Sequence, residues 1–144
     1  MKSVTISEDH VKTNYDKDDL EMFKNELFFY LLGKQKRLSY IPKLVSYDCD
    51  KLIICTENVG TTLEEYCNSK EELEEFFPKI RNIYNRFVKQ GYYHNDLRYK
   101  NIIINPDTKR LYLIDFEFTS REYKDLDDEN IVKNLKKKKR TKSK

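Results

Sequence analysis

Alanine and tryptophan are missing from this chain of 144 residues, and glycine, proline and cysteine occur only three times each. Each scarcity excludes something. Gly33, Gly60 and Gly91 stand far apart, so there is no glycine-rich loop of the kind whose bare backbone cradles phosphates. Cys49, Cys55 and Cys67 are odd in number and lack metal or redox spacing, which argues against a disulfide scaffold and for a reduced intracellular setting, cytoplasmic or nuclear. The longest apolar run, Leu27 to Leu32, is far too short to cross a bilayer, and no signal peptide or internal repeat is visible. By size the chain is expected to form one domain with a real core.

Charge of both signs is abundant and unevenly placed. Residues 136–144 carry seven Lys and Arg, and removing those seven from the formal +3 of the whole chain leaves −4 for residues 1–135. An acidic folded body with a disordered basic tail is expected. Such a tail suits nuclear import or a nonspecific, salt-sensitive contact with a polyanion.

The densest chemistry lies between His94 and Glu117. It begins His94-Asn95-Asp96-Leu97-Arg98-Tyr99-Lys100-Asn101 and ends Ile114-Asp115-Phe116-Glu117. Between them, Ile102-Ile103-Ile104 and Leu111-Tyr112-Leu113-Ile114 read as strands, separated by the turn chemistry of Asn105-Pro106-Asp107-Thr108-Lys109. Folding that hairpin sets Asn101, just before one strand, opposite Asp115, just after the other. A carboxylate beside an acceptor hydroxyl, plus oxygen ligands for magnesium, is what phosphoryl transfer requires of a protein. Asp96 fits the first role, Asn101 and Asp115 the second.

The pattern His94-x-Asp96-Leu97-x-x-x-Asn101 followed by Asp115-Phe116 resembles the catalytic loop and metal motif of the protein-kinase-like superfamily. The spelling His94-Asn95-Asp96-Leu97 with Asp115-Phe116-Glu117-Phe118 is similar to choline, ethanolamine and aminoglycoside kinases, while small atypical and virus-encoded kinase-like proteins share the compact size. The resemblance implies an α+β, minimal two-lobed fold. A small antiparallel-sheet N-lobe would cover about residues 1–58 and an abbreviated helical C-lobe about 61–135. It also implies ATP and Mg2+ as cofactors and a hydroxyl-bearing acceptor as partner, with His94 as structural support for Asp96.

The rest of the chain fits that order. Lys2 to Ile6 and His10 to Tyr15 read as strands, and Leu20 to Leu32 as a helix capped by Asp18 or Asp19, with Phe23, Leu27 and Leu31 on one face and Gly33 ending it. By resemblance, Lys12 would hold the nucleotide phosphates and Glu26 would orient Lys12 by an ion pair. Lys51 to Glu57 reads as a strand leading to a hinge at Glu57, Asn58 and Val59, whose backbone would bind adenine. Ser69-Lys70-Glu71-Glu72 is a capping box. It opens a helical stripe running to Gly91, which Pro78 either kinks or splits into two helices. Asp125 to Leu135 reads as one further helix, with Asp125 or Asp127 a candidate buttress for the catalytic loop.

Departures from the family pattern are as informative. Glu8 and Asp9 occupy the first turn, where they would repel a triphosphate if they faced it, and Asn95 replaces the arginine that pairs with a phosphorylated activation loop. Fewer than thirty residues follow Glu117, too few for the helices that position peptide substrates in ordinary protein kinases. Absence of alanine and tryptophan beside abundant Lys, Asn, Ile and Tyr suggests an AT-rich coding genome, compatible with a large DNA virus or a parasite. The expected activity is transfer of the γ-phosphate to protein serine or threonine, with two alternatives: a small-molecule kinase of the choline or aminoglycoside type, and an inactive pseudokinase serving as a scaffold.

Overall fold

The computed structural model describes residues 2–124 and 126–136. The basic tail from 137 onward and Asp125 lie outside the described residues. Four antiparallel strands form the first sheet: β1 (Lys2–Ile6), β2 (His10–Tyr15), β3 (Leu44–Asp48) and β4 (Ile53–Glu57), in the order β1-β2-β4-β3. Helix α1 (Leu20–Gln35) crosses between β2 and β3. A second sheet joins β5 (Thr61–Thr62) to the hairpin β6 (Ile102–Ile104) and β7 (Leu111–Leu113). Around it lie α2 (Leu63–Tyr66), α3 (Lys70–Glu75), α4 (Phe77–Val88) and α5 (Glu129–Lys136). The fold is mixed α+β with antiparallel sheets, as expected. No described helix is long and apolar enough to cross a membrane.

Helix α1 departs from its sequence reading in two ways. It buries Phe23, Glu26, Leu27, Phe29 and Tyr30, so both sides are covered, while Leu31, expected on the buried face, is 38% exposed. It also runs past Gly33. The stop is a Schellman motif, with Leu38 N–H donating to the Gly33 carbonyl at 2.9 Å, Arg37 N–H to that of Lys34 at 3.4 Å, and Arg37 left-handed at φ 54°. Gly33 is small for a packing reason, since a Cβ there would lie 3.0 Å from the Ile41 side chain.

At Pro78 the stripe splits in two. Ser69 caps α3 by accepting from Glu72 N–H at 3.2 Å, the chain turns at Phe76, and α4 starts with proline in its first turn, where no intrahelical N–H is needed. Phe77, Ile80, Ile83 and Phe87 then bury the inner face of α4, and Gly91 at φ 95° ends the pattern as its position implied. Gly60 is required at its place by both space and backbone, for φ is 152° and a Cβ would fall 2.0 Å from the Ile104 carbonyl oxygen.

The two layers meet on Phe116. Its fully buried ring lies 5.6 Å from Phe29 and 5.5 Å from Tyr30 of α1, 5.7 Å from Phe87 of α4, and 5.3 Å from His94, centroid to centroid. Four aromatic contacts on one side chain make it the packing bridge between the sheet with its helix and the remainder. Phe116→Ala is expected to lower the unfolding free energy by about 3–5 kcal/mol, read from urea denaturation.

Candidate active site

The β6–β7 hairpin builds the site as its sequence implied. Asn105 Oδ1 accepts from the N–H groups of Asp107 and Thr108 at 2.9 and 3.1 Å, which closes the turn. Ile102 pairs with Leu113, and Ile114 N–H donates to the Asn101 carbonyl at 3.1 Å, so Asn101 and Asp115 emerge side by side. Both line one cleft of about 220 Å³ between the first sheet and the hairpin. Asp115 adopts φ 65°, a left-handed conformation that Asp tolerates better than bulkier residues.

The loop before the hairpin is held by backbone bonds to buried side chains. Asp96 N–H donates to His94 Nδ1 at 3.1 Å, which leaves that nitrogen bare and puts the ring proton on Nε2, 2.8 Å from the Ile114 carbonyl. His94 is therefore a neutral strut between the loop and the hairpin. Burial lowers its pKa, against the pull of the Ile114 carbonyl and the Asp115, Asp127 and Asp96 carboxylates. On the other side, Asp127 Oδ1 accepts from Leu97 N–H at 2.7 Å and Leu97 returns its carbonyl to Asp128 N–H at 2.9 Å. Of the two candidate buttresses, Asp127 takes this place; Asp125 lies outside the described residues.

The Asp96 carboxylate receives Arg98 Nε at 2.7 Å on Oδ1 and Asn101 Nδ2 at 3.2 Å on Oδ2. Asn101 Nδ2 also reaches the Asp96 carbonyl at 2.8 Å. These bonds fix which end of the amide is which. Nitrogen faces Asp96, and Asn101 Oδ1 keeps no partner among the described residues. An amide oxygen and the Asp115 carboxylate fit a hard cation such as magnesium, which takes few protein ligands and completes its shell with phosphate and water. Accordingly, no group of three or more His, Cys, Asp or Glu among the described residues is placed to hold a metal unaided.

Lys12 and Glu26 are not brought together. Side chains alternate along a strand, and on β2 it is Val11, Thr13 and Tyr15 that face inward while Lys12 is exposed on the other side. The ion pair expected between Lys12 and Glu26 is thus replaced. The cation next to Glu26 is Lys2, whose Nζ lies 3.1 Å from Asp115 Oδ1 and 3.1 Å from Glu117 Oε2. Burial works to lower the Lys2 pKa, but Glu26, Asp115 and Glu117 together raise it above the ordinary lysine value. Glu26, fully enclosed, is pushed up to about 7 by burial, with Lys2 opposing and Asp115 adding to the rise; its Oε2 accepts from Phe116 N–H at 3.2 Å. Burial and Asp115 also raise Glu117.

Of the three hinge positions, two have their N–H groups engaged. Glu57 N–H donates to the Lys43 carbonyl and Asn58 N–H to the Asp9 carbonyl, both at 2.9 Å. Val59 lines the cleft, and its backbone groups have no hydrogen bond among the described residues. Asn58 Nδ2 also donates to the Ser7 carbonyl at 2.8 Å. Glu8 and Asp9 are thereby tied to the hinge end of the cleft, away from Asp115, so the repulsion expected from the first turn does not fall on the acidic end.

Sequence reasoning missed two organising asparagines. Asn25, on α1, brings its amide nitrogen to the carbonyls of Phe116, Glu117 and Thr119 at 2.8, 3.2 and 2.9 Å. Asn95, fully buried at φ 67°, donates to the Phe118 and Glu122 carbonyls and to Ser120 Oγ at 2.9–3.1 Å and accepts from Lys124 N–H at 2.9 Å. Only Asn95's place beside the catalytic motif could have signalled this.

A family model described as choline/ethanolamine kinase matches residues 20–135. The chain belongs to the choline/ethanolamine kinase family. Its fold is that of the wider protein-kinase-like superfamily. The bifunctional kinase-methyltransferase WbdD superimposes with TM-score 0.63 at 16% identity over 84% of this chain and 30% of that one. A structure of monomeric WbdD gives 0.65 at 16% over 93% and 35%. The Cydia pomonella granulovirus kinase PK-1 gives 0.62 at 14% over 77% and 43%. The chain therefore spans less than half the length of these kinases. No curated protein matches the sequence.

His94 gives this family member a defined pH response. Its folded pKa lies below the unfolded value of about 6.5, so the unfolded chain binds the proton first and stability falls as pH drops below that value. The melting-temperature advantage of the parent over His94→Gln is expected to shrink between pH 7.5 and 5.5, because the opposite effect of the raised Glu26 and Glu117 pKa values is common to both chains. Asn95→Ala should cost about 3 kcal/mol and speed amide exchange across residues 118–124, measured by hydrogen exchange.

Proposed function

We propose that this chain is an ATP- and magnesium-dependent phosphotransferase acting on the hydroxyl of a small, cationic alcohol. The observation that carries the reading is that Asn101 and Asp115 line a single cleft while the Asn101 amide nitrogen bonds the Asp96 carboxylate, which links the Asp96 loop to that cleft. The other end of that cleft has the apolar walls Val4, Val11, Ile54, Ile103 and Ile114 and the free backbone of Val59, which suit a flat base with a hydrogen-bonding edge.

Asp96 takes the acceptor proton as the oxygen attacks the terminal phosphorus and the bond from that phosphorus to the bridging oxygen breaks, releasing ADP. Its carboxylate is held by Arg98 and Asn101, so little reorganisation is needed when the hydroxyl arrives. Asn101 and Asp115 would hold the magnesium, which neutralises the phosphate oxygens when bound. A small cationic acceptor is favoured over a protein one by the family and by the hollow beside Arg98, lined by Asp127, Asp128 and Glu129.

A second reading, a binding module without turnover, draws support from the Lys2 ion pairs that already engage Asp115 and Glu117 and from the missing glycine loop. A melting-temperature titration separates the two: a rise with ATP that requires magnesium goes with the enzyme, no response with the module. Labelled ATP presented with a panel of amino alcohols and a serine-rich protein identifies the acceptor. Asp96→Asn is expected to lower kcat about 1,000-fold with an unchanged melting temperature. Undiminished turnover in that variant removes Asp96 from the role.

A further inference from the structure

We propose that Lys2, on the first strand, is the cation that binds the nucleotide phosphates in this chain, in place of the lysine of the second strand. This rests on the nucleotide-site reading above. Three observations support it. β1 and β2 pair with Lys2 opposite Tyr15 and Val4 opposite Thr13, which sets Lys2 and Val4 on the cleft face with Thr13. On β2 the residues facing the cleft are Val11 and Thr13, both neutral, and Lys12 between them cannot turn inward without reversing every side chain of its strand. Among the described residues that line the cleft, Lys2 is the one with a positive charge, against Glu26, Glu57 and Asp115.

The position of the ammonium group fits the task. It is only 26% exposed, sits 5.6 Å from the centre of the Tyr15 ring, and spans Asp115 and Glu117. It is thereby fixed at the end of the cleft where Asn101 and Asp115 meet. Three carboxylates around one lysine leave the cluster with surplus negative charge, so a nucleotide approaching without a divalent cation is repelled. Asp115 would hold the magnesium, and Lys2, which now pairs with Asp115, would then have its ammonium group available to a phosphate oxygen.

The test is isothermal titration of ATP with magnesium, and of adenosine, into the full chain and its Lys2→Ala, Lys2→Arg and Lys12→Ala variants. Lys2→Ala is expected to weaken ATP at least 30-fold while adenosine affinity stays within twofold. Lys2→Arg, which keeps the charge, should hold ATP within about fivefold and guards against loss of fold, and Lys12→Ala should match the parent for both ligands. Loss of ATP affinity in Lys12→Ala with retention in Lys2→Ala overturns the assignment and leaves the nucleotide site standing. Equal loss of ATP and adenosine in Lys2→Ala overturns it as well, since that is general damage. A parent chain that binds neither ligand overturns both the assignment and the kinase reading.

Discussion

Phe116 is the contact on which the arrangement depends. Its ring is packed against α1, α4 and His94 at once, its N–H donates to Glu26 and its carbonyl accepts from Asn25, so one residue is held by packing and by two polar α1 side chains. Because Asp115 precedes it and Glu117 follows, both acids are aimed by an apolar anchor that they do not themselves supply. Burying an aromatic ring contributes several kcal/mol, and the polar site uses that energy to hold groups that repel each other.

That repulsion is the main electrostatic fact of the cleft. Glu26, Asp115 and Glu117 are crowded in partly desolvated surroundings, and a single lysine offsets them. Such clusters are costly, and they recur where a site must attract a multivalent cation. The raised pKa values of Glu26 and Glu117 express the same cost in terms of protons. The structure has spent packing energy to keep an unfavourable charge arrangement in place.

Most of the fold was legible because its signals are local. The hairpin followed from β-branched runs about an Asn-Pro-Asp turn and α3 from its capping box, while the register is one residue off the expected one, with Asn101 opposite Ile114 and Asp115 next along the chain. Errors arose where a one-residue difference decides a face. Lys12 and Thr13 are neighbours, and only the pairing of β2 with β1 and β4 shows which of them looks into the cleft. Lys2 lay in a strand that was recognised, yet nothing short of three dimensions brings it to Asp115, 113 residues away. Gly33 misled for a related reason: glycine marks helix ends when backbone conformation demands it, and here tight packing against Ile41 demanded it instead.

The four ties from Asn95 have a bearing on control. Three of them join an uncharged amide to main-chain groups and the fourth joins it to the Ser120 hydroxyl, so residues 118–124 are held by short-range dipoles, which salt screens little. The folded chain thus carries its own fastening for this segment, one that does not depend on an added charge.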